Sequence, residues 1–512
     1  TLILMLLLSL LLTATVINLL LGGAFPALFS NYAVKTLNLV FGITIVLMIV
    51  VLVLENDNPI RTIAWILVLL YLPVVGFIFY LLFGRNWRKS RLFSRKGLVD
   101  SVNLGELLKP LEQETDLKIE NELAIRLISL LESNSKAILT RHNRVRVIPD
   151  TAEAFEEICT AIDNAQRHIH MEYFSISADA IGNRIKDLLL KKADQGIQIR
   201  FIYDDVGCWS LRRSFKSALR KAGVMFVPFM PVWIPFLNSR ANYRNHRKLV
   251  IVDGRTVFLG GLNIADKYMG KDRYFGYWRD SMLVLEGDAA IAMQGIFLTD
   301  WYFVSRQNLM KTEIFRQYAC FDCHHLEASY KSAVQIAASG PDSDHASIMQ
   351  VYFAAISNAR QSIRISTPYL ILNDSLLMAL KTAAMSGCRV DIILPSKPDH
   401  FVVFWGSRSY YQELLDTGIH IWEYQHGFMH AKVLIIDDEI LSIGTANMDL
   451  RSFNHNFELA ALIYDPDIAM QAARQFETDL AQSRLVDPEA FRRRSIVKKS
   501  VESVCRLFSP VL

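Results

Sequence analysis

Two copies of one short pattern carry the residues most able to do chemistry. A histidine, a lysine two positions later and an aspartate five positions after that occur in NHRKLVIVDG (245–254) and again in MHAKVLIIDD (429–438), and an asparagine follows each copy at the same distance. A cation and an amide bind phosphate oxygens, and a histidine beside them reaches the phosphorus. The candidate site residues are His246, Lys248, Asp253 and Asn263 in the first copy and His430, Lys432, Asp437 and Asn447 in the second.

Each copy is predicted to form a β-hairpin that gathers these side chains. Residues two apart on a strand point to the same face, so His246 and Lys248 share one. Asp253 and the glycine after it, between two β-branched runs, predict a two-residue turn, and the returning strand then brings Asn263 back beside His246. A turn at 437–438 does the same in the second copy. Both aspartates lie at the turns, which favours a supporting role over proton transfer.

Two facing patches of this kind can transfer a phosphate group, whereas one patch alone only binds it. Phosphodiester exchange needs a nucleophile on one side and a proton donor for the leaving oxygen on the other. Two histidines can divide these roles when neighbouring charges separate their pKa values. Asp280, downstream of the first copy, and Glu458, downstream of the second, are predicted to orient the histidine rings.

The elements that position these residues follow a duplicated α/β order. Apolar, β-rich runs alternate with segments of helical period in 169–229, and 362–424 repeats that order. Such alternation predicts a sheet with helices on both faces, and the duplication predicts two similar domains related by a pseudo-twofold axis. We expect these parts, in chain order: a basic and helical connector at 85–145, a first domain at 146–335, a second domain at 336–490 and a basic amphipathic tail at 491–512.

The N-terminal part, 1–84, is predicted to cross a membrane. Its segments 2–21, 36–54 and 62–84 carry no charge and are each long enough to span a bilayer as a helix. Six basic residues follow within 85–96, whereas the loop 55–61 has two acids and one base. This bias places everything after residue 84 in the cytoplasm. Six scattered cysteines fit that reducing compartment and predict no disulfide framework.

The distribution of charge indicates contact with lipid rather than with nucleic acid. The net charge is +4, but 85–96 contribute +6 and the tail 491–512 has six bases and one acid, which leaves 97–490 with a net negative charge. No basic face therefore extends over a domain, as a nucleic-acid-binding protein would require. Two basic segments, one of them partly apolar, are expected beside an anionic membrane. For the tail, a solvated charged helix is the alternative.

These motifs resemble the phospholipase D superfamily. The resemblance rests on the doubled H-x-K-x4-D pattern with Gly-Gly-x-Asn and Gly-Thr-x-Asn after it. ENDNPIRTIAW, FGRNWRK and RSFNHNFE (451–458) are further similar to bacterial cardiolipin synthases, over nearly the whole chain from about residue 36. The resemblance implies two phospholipase-D-like domains behind transmembrane helices. It also implies a multi-pass protein of the bacterial inner membrane with cytoplasmic catalytic domains.

The resemblance implies a reaction that needs no metal ion or other cofactor. One histidine attacks the phosphorus of phosphatidylglycerol, glycerol leaves, and a phosphatidyl-histidine forms. A second phosphatidylglycerol then displaces the histidine and gives cardiolipin. By analogy, His246 is the nucleophile and His430 the general acid, while Lys248, Asn263, Lys432 and Asn447 bind the phosphate.

Several alternatives stay open on the sequence alone. A phospholipase D-type hydrolase, or a transferase with another alcohol acceptor, would use the same residues. A nuclease would not need membrane spans, and a non-catalytic scaffold would not need every chemical residue in both copies. CFDCHH (320–325) offers metal ligands, but one cluster without a second pair is a poor zinc signature. The oligomeric state is not fixed by the sequence, which is compatible with a homodimer.

An apolar loop in the first copy is predicted to assist lipid access. The segment 230–243 has no counterpart in the second copy and includes Trp233 and Phe236. So much apolar surface on a loop needs something to bury it. A second aromatic cluster, HFVVFWG (400–406), follows the matching strand of the other copy. An ordinary packed loop is the alternative interpretation.

Overall fold

The computed structural model describes residues 119–232, 242–321 and 331–511 as continuous stretches, and shorter pieces between residues 39 and 111. No helix within these described parts is both long and apolar enough to cross a membrane. The predicted span 2–21 lies outside the described residues. The predicted spans 36–54 and 62–84 are described only in part.

The chain divides into two compact units. The smaller comprises Thr1–Asn86 and Ile234–Asn242, and its described part includes helix α1, Pro59–Tyr71. The larger comprises Trp87–Trp233 and Tyr243–Leu512 and holds both copies of the histidine motif.

One sheet of 15 strands runs through the larger unit, with two small two-stranded sheets beside it. The strands of the first half are β1 Leu139–Ile148, β2 His168–Tyr173, β3 Gln198–Asp204, β4 Met225–Phe229, β5 Leu249–Val252, β6 Thr256–Gly260, β7 Tyr277–Arg279 and β8 Met282–Gly287. Those of the second half are β9 Ser332–Ser339, β10 Ser362–Ser366, β11 Leu370–Ile371, β12 Arg389–Pro395, β13 His420–Tyr424, β14 Gly427–Met429, β15 Val433–Ile436, β16 Ile440–Gly444, β17 Met448–Asp449, β18 Glu458–Tyr464 and β19 Ser483–Leu485.

The strand order reads the same outwards from the centre in both directions. From the β1–β9 contact, one side runs β8, β6, β5, β2, β3, β4, and the other runs β18, β16, β15, β10, β12, β13, with β19 added at the edge. Strands β2, β3 and β4 are parallel, as are β10, β12 and β13, and the inner strands of each half are antiparallel. The added edge strand β19 is antiparallel to β13. The prediction of a duplicated α/β fold with pseudo-twofold symmetry is therefore confirmed.

Helices cover both faces of this sheet. In the first half they are α2 Glu122–Ser135, α3 Thr151–Asn164, α4 Ala180–Asp194, α5 Arg213–Lys221, α6 Asp288–Ser305 and α7 Thr312–Tyr318. In the second half they are α8 Ser347–Asn358, α9 Asp374–Met385, α10 Phe401–Arg408, α11 Tyr411–Leu415, α12 Leu450–Asn454, α13 Pro466–Ala481, α14 Pro488–Arg492 and α15 Ile496–Arg506. Helices α6 and α13 follow the equivalent strands β8 and β18 and pack on the central strands.

The central helix α6 shows why the two halves hold together. It is apolar around most of its circumference and thirteen of its residues are buried, which is typical of a helix enclosed on all sides. It contacts β1 and β8 of the first half and β9 of the second. One apolar core cluster accordingly includes residues of both halves, such as Phe297 and Phe476.

Two local features differ from the expectations. Strand β1 begins inside the segment 85–145 that was predicted to be a connector, because LTRHNRVRVI forms an extended strand between β8 and β9. Each hairpin also has a loop of three residues rather than a two-residue turn, since Val252 pairs with Thr256 and Ile436 with Ile440. The pairing of each returning strand is therefore shifted by one residue.

The motif aspartates lie at these hairpin loops and hold neighbouring backbone. The carboxylate of Asp253 accepts hydrogen bonds from the backbone N–H groups of residues 166–168, at 2.7–2.9 Å. Asp437 accepts the equivalent three from residues 360–362, at 2.7–2.9 Å. Each aspartate thus ties its hairpin to the start of a neighbouring strand, β2 or β10. Neither set of bonds involves a motif histidine, which fits a structural role.

This arrangement predicts that Asp253→Ala and Asp437→Ala each destabilise the fold. Each change leaves three backbone N–H groups without their charged acceptor, and a loss of about 1–3 kcal/mol in the free energy of unfolding is expected. Thermal melting of the purified protein measures the loss. Asp187→Ala is the control, because that side chain is 66% exposed and contacts only its neighbour Lys186 at 3.2 Å. A variant that melts like the unchanged protein but is inactive would assign the aspartate to the chemistry.

Candidate active site

His246 is positioned by a backbone contact with the second half of the chain. It lies just before β5, in an irregular segment where Asn245 forms a parallel bridge with Phe457. The backbone N–H of His246 donates to the carbonyl of Phe457 at 3.0 Å. Glu458 is the next residue along, so this contact brings its carboxylate to the histidine.

His430 is positioned in the same way by the first half. The short strand β14, Gly427–Met429, pairs in parallel with β7, Tyr277–Arg279. The backbone N–H of His430 donates to the carbonyl of Arg279 at 2.7 Å. Asp280 is the next residue along, and the pseudo-twofold relation between the two histidine segments is complete.

Each histidine is therefore paired with the carboxylate of the other half. His246 Nδ1 lies 2.9 Å from Glu458 Oε1, and His430 Nδ1 lies 2.6 Å from Asp280 Oδ2. Both carboxylates are fully buried and both histidines are nearly so. The sequence identified all four residues, but it did not show that the pairs cross between the halves. With Nδ1 held in each ring, Nε2 is the nitrogen that remains for chemistry.

The two carboxylates are supported differently. Glu458 accepts hydrogen bonds from Thr445 Oγ1 and from Asn456 Nδ2, whereas Asp280 accepts one from the backbone N–H of Ser281 at 2.8 Å. Gly261 occupies the position that matches Thr445 in the motif, and a Cβ there would lie 2.3 Å from Asp280 Oδ1. Only glycine leaves room for Asp280. The sequence motifs include Gly261, Thr445 and Asn456 but do not show that these residues support the carboxylates.

The two motif lysines complete a single electrostatic cluster. Lys248 Nζ donates to the carbonyl of His246 and Lys432 Nζ to the carbonyl of His430, both at 2.6 Å. Burial lowers the pKa of Lys248 to about 7 and that of Lys432 to about 8, against the opposing effect of the buried carboxylates. Lys432 is also among the causes that lower the pKa of Lys248, so the two ammonium groups face one site.

Burial also governs the protonation of the histidines. It lowers the pKa of His246, and it lowers that of His430 to about 4, with Lys432 adding to the effect on His430. The carboxylate partners oppose this in both cases. Aromatic rings form part of the low-dielectric surroundings: Phe174 lies 5.2 Å from the ring of His246 and Trp278 lies 5.1 Å from that of His430. Both histidines are thus neutral at pH 7 in the free site.

The motif asparagines are buried beside this cluster. Asn263 accepts a hydrogen bond from the backbone N–H of Ser175 and donates to the hydroxyl of Tyr268. Tyr268 in turn lies 6.3 Å from the ring of His430. Asn447 donates to the carboxylate of Asp449 at 3.1 Å. Each amide is therefore held by residues of its own half.

Two further predictions concern the surroundings of the site. Trp233 and Phe236, the residues predicted to assist lipid access, lie outside the described residues. Across 119–232, 242–321 and 331–511, no cluster of three or more histidine, cysteine, aspartate or glutamate side chains could hold a metal ion. Cys320 of the CFDCHH segment is disulfide-bonded, whereas the scattered cysteines predicted no disulfide framework.

Two described protein families match parts of the chain. A family described as "Cardiolipin synthase, PLD-like domain" matches residues 158–301 and 352–480. One described as "Phospholipase_D-nuclease N-terminal" matches residues 42–85.

Curated relatives and solved structures agree with these matches. Cardiolipin synthase 2 of Bacillus anthracis is 42% identical and aligns with 90% of this chain and 89% of its own length. The major cardiolipin synthase ClsA of Bacillus subtilis is 40% identical over 93% of this chain and 98% of its own length. The crystal structure of a phosphatidylserine synthase from Haemophilus influenzae shares the fold, with a TM-score of 0.56, 17% identity and coverage of 77% of this chain and 100% of that one. The chain belongs to the cardiolipin synthase family, whose members carry phospholipase D-like domains.

Proposed function

We propose that the protein is a membrane-bound phosphatidyltransferase that converts two molecules of phosphatidylglycerol into cardiolipin and glycerol. The observation that carries this proposal is the pair of buried histidine–carboxylate contacts, which place two neutral imidazoles and two buried lysines in one site. Such a site offers one nucleophile, one proton carrier and fixed positive charge for a phosphodiester.

The first half of the reaction forms a covalent intermediate. The hydrogen bond from Nδ1–H of His246 to Glu458 leaves a lone pair on Nε2, and this nitrogen attacks the phosphorus of phosphatidylglycerol. The bond from phosphorus to the terminal glycerol oxygen breaks, and His430, which takes up a proton from solvent when the phosphodiester anion binds, donates that proton to the oxygen. Glycerol leaves, and the phosphatidyl group remains on His246.

The second half reverses the roles. The terminal hydroxyl of a second phosphatidylglycerol attacks the phosphorus, and His430, now neutral, removes the hydroxyl proton. The bond from phosphorus to His246 breaks, and cardiolipin leaves. Both histidines return to their starting states, so the cycle balances without any other reactant.

Substrate charge resolves an apparent conflict in the free site. A general acid must carry a proton, yet burial and Lys432 lower the pKa of His430 to about 4. A bound phosphodiester brings a negative charge next to that ring, and a nearby opposite charge raises the pKa of an imidazole. The lysines also regain their stable charged form when the anion binds. Phosphate binding therefore prepares the site for the proton transfer that follows.

The phosphate ligands are Lys248, Lys432, Asn263 and Asn447, which supply positive charge and hydrogen-bond donors where other phosphoryl-transfer sites use metal ions. Asp253 and Asp437 support the hairpins that carry the histidines. Asp280 and Glu458 orient the rings.

The same proposal places the enzyme in the bacterial inner membrane as a multi-pass protein with its catalytic domains in the cytoplasm. Support comes from the uncharged segments 2–21, 36–54 and 62–84 and from the basic run at 85–96. Lipid substrate then reaches the site from an anionic leaflet, with Trp233 and Phe236 assisting its access.

The products formed from phosphatidylglycerol test the proposed function. Purified full-length protein, reconstituted with phosphatidylglycerol, should yield cardiolipin and glycerol in equal amounts. Phosphatidic acid and glycerol alone would instead identify a hydrolase, and an exchange product formed only with an added alcohol would identify a transferase with another acceptor.

Variants of the two histidines are expected to separate their roles. His246→Ala and His430→Ala should each abolish turnover, because neither role has a substitute in the site. His430→Ala should still accumulate some phosphatidyl-enzyme, detected with radiolabelled lipid after denaturation, whereas His246→Ala should accumulate none. The matched control is His420→Ala: His420 also contacts an aspartate, Asp391, at 3.2 Å, but on β13 away from the site. Covalent lipid on the His246→Ala protein would show instead that His430 is the nucleophile and His246 the general acid.

The pH dependence of kcat/KM should become steeper near neutral pH, where loss of the lysine charges adds to the cost of protonating His430, whose pKa in the free site is about 4. A basic group with a lowered pKa loses its proton, and here its charge, at a lower pH than usual. With values of about 7 for Lys248 and about 8 for Lys432, kcat/KM, which reports the free enzyme, should fall as the pH rises through this range. The fall in kcat should occur at higher pH, since bound phosphate stabilises both ammonium groups. A kcat/KM that stays constant up to about pH 9 would contradict this account, given the two pKa values cited.

Activity should not depend on divalent cations. Protein freed of metal with a chelator, and assayed in its presence, is expected to keep the rate of the untreated protein. Vesicles that contain a zwitterionic lipid as diluent control for effects of the cation on phosphatidylglycerol packing. A requirement for a divalent cation that persists under those conditions would contradict the assigned role of the lysines.

A further inference from the structure

The C-terminal helix α15 exposes apolar side chains to the surroundings and buries a charged one. Ile496, Val497, Val504 and Leu507 lie on one side of the helix, since the offsets i, i+1, i+8 and i+11 fall within an arc of about 100° at 3.6 residues per turn. Ile496 and Leu507 are 79% and 78% exposed. A helix that packs on a protein core in water normally shows the opposite pattern.

The buried side of the same helix holds the acid. Glu502 is 1% exposed, and its carboxylate pairs with Arg494 at 2.6 Å and approaches Arg408 of α10 at 3.9 Å. It is the one acidic residue of the tail 491–512. The outward surface of the tail therefore presents bases and apolar groups. Among the residues that the structure describes, no carboxylate lies within ion-pair distance of Lys498 or Lys499.

Two packing contacts connect the C-terminal segment to elements near the second half of the candidate site. Helix α15 packs on α10, which begins at Phe401, itself 61% exposed. Two residues before Phe401, the carboxylate of Asp399 accepts a hydrogen bond from Tyr369 and is among the charges that act on Lys432. Beyond α15, the short 3₁₀ segment Ser509–Val511 packs on α12, which begins three residues after Asn447.

We propose that this C-terminal face, made of Phe401, Ile496, Val497, Val504, Leu507 and Phe508 with Lys498 and Lys499, docks on the surface of an anionic bilayer. Apolar side chains on one side of a helix, flanked by lysine, match the boundary between headgroups and acyl chains. Docking there places the second half of the site at the leaflet that holds the lipid. The charge complementarity between lysine and anionic headgroups is the reason for assigning this face to a bilayer. The expected benefit to catalysis rests on the proposed function.

Fluorescence quenching by lipid tests the docking directly. Full-length protein carries a polarity-sensitive fluorophore on Leu507→Cys and is reconstituted in vesicles of phosphatidylglycerol and phosphatidylcholine with brominated acyl chains. Cys159, Cys208, Cys388 and Cys505 are buried, and labelling of the unchanged protein measures their background. The matched control is Met385→Cys, because Met385 is a similarly exposed apolar residue, at 74%. It ends helix α9 and lies near the start of β12, whereas the candidate site lies toward the other end of that strand.

Quenching at position 507 and none at position 385 is the expected result. An unquenched probe at position 507 overturns the proposal. A probe whose fluorescence changes with protein concentration and not with brominated lipid also overturns it, because a second copy of the protein would then cover the face. The quenching does not depend on activity. If the unchanged protein is quenched but forms no cardiolipin, the docking stands and the proposed function fails.

A second arm measures the consequence for turnover. Ile496→Glu combined with Leu507→Glu should lower the rate on bilayer phosphatidylglycerol by about tenfold or more, since acidic groups oppose an anionic surface. The rate on a short-chain, soluble phosphatidylglycerol should be unchanged, which also shows that the variant is folded. Met385→Glu should leave both rates unchanged. Equal losses on the two substrates would overturn the link between docking and catalysis.

Discussion

The hydrogen bond from each histidine to a carboxylate of the other half is the interaction on which the rest of the structure depends. His246 contacts Glu458 and His430 contacts Asp280, and the backbone bonds to Phe457 and Arg279 hold each pair in register. A buried carboxylate without its partner is costly, with losses of about 3–5 kcal/mol when one member of a buried pair is removed. The continuous sheet, with β1 beside β9, provides the rigid support that such a crossed site requires.

The site is built around charges that only the substrate can balance fully. Burial lowers the pKa of both Lys248 and Lys432, the charge of Lys432 lowers that of Lys248 further, and the two carboxylates only partly compensate. A phosphodiester anion is the missing partner in this electrostatic arrangement. The two halves also differ in how they support the carboxylates that orient the histidines. Thr445 donates a hydrogen bond to Glu458, whereas Gly261 in the matching position only makes room for Asp280. This asymmetry separates two histidines that the sequence motif makes alike.

Local patterns predicted much of the fold and the identity of the central residues. The spacing of His246 and Lys248 on a strand, and the order of strands and helices, depend on nearby residues and are legible in sequence. The crossed pairing is not, because it arises from the placement of Phe457 beside Asn245, residues far apart in the chain. The three-residue hairpin loop was missed because Asp253 and the glycine after it, both with positive φ, suit a two-residue turn equally well. Nothing local in the sequence shows that the strand pairing resumes one residue later. The roles of Thr445 and Asn456 were not predicted, although both stand in the motifs, because their hydrogen bonds to Glu458 depend on the folded backbone.

The central claim is that each histidine relies on a carboxylate from the other half of the chain. Formation of the covalent intermediate in the His430→Ala variant tests this most directly. Since His430 is absent there, Asp280 acts on the site only through the charge of Lys248 and Lys432. At a pH below both lysine pKa values, adding Asp280→Asn should therefore leave the yield of phosphatidyl-enzyme nearly unchanged. Adding Glu458→Gln removes the negative charge that stabilises the imidazole of His246 as it attacks, and the amide can also present an N–H in place of the acceptor for Nδ1–H, so the yield should fall sharply. The opposite outcome, sensitivity to Asp280→Asn and indifference to Glu458→Gln, would show that each histidine relies on the carboxylate of its own half.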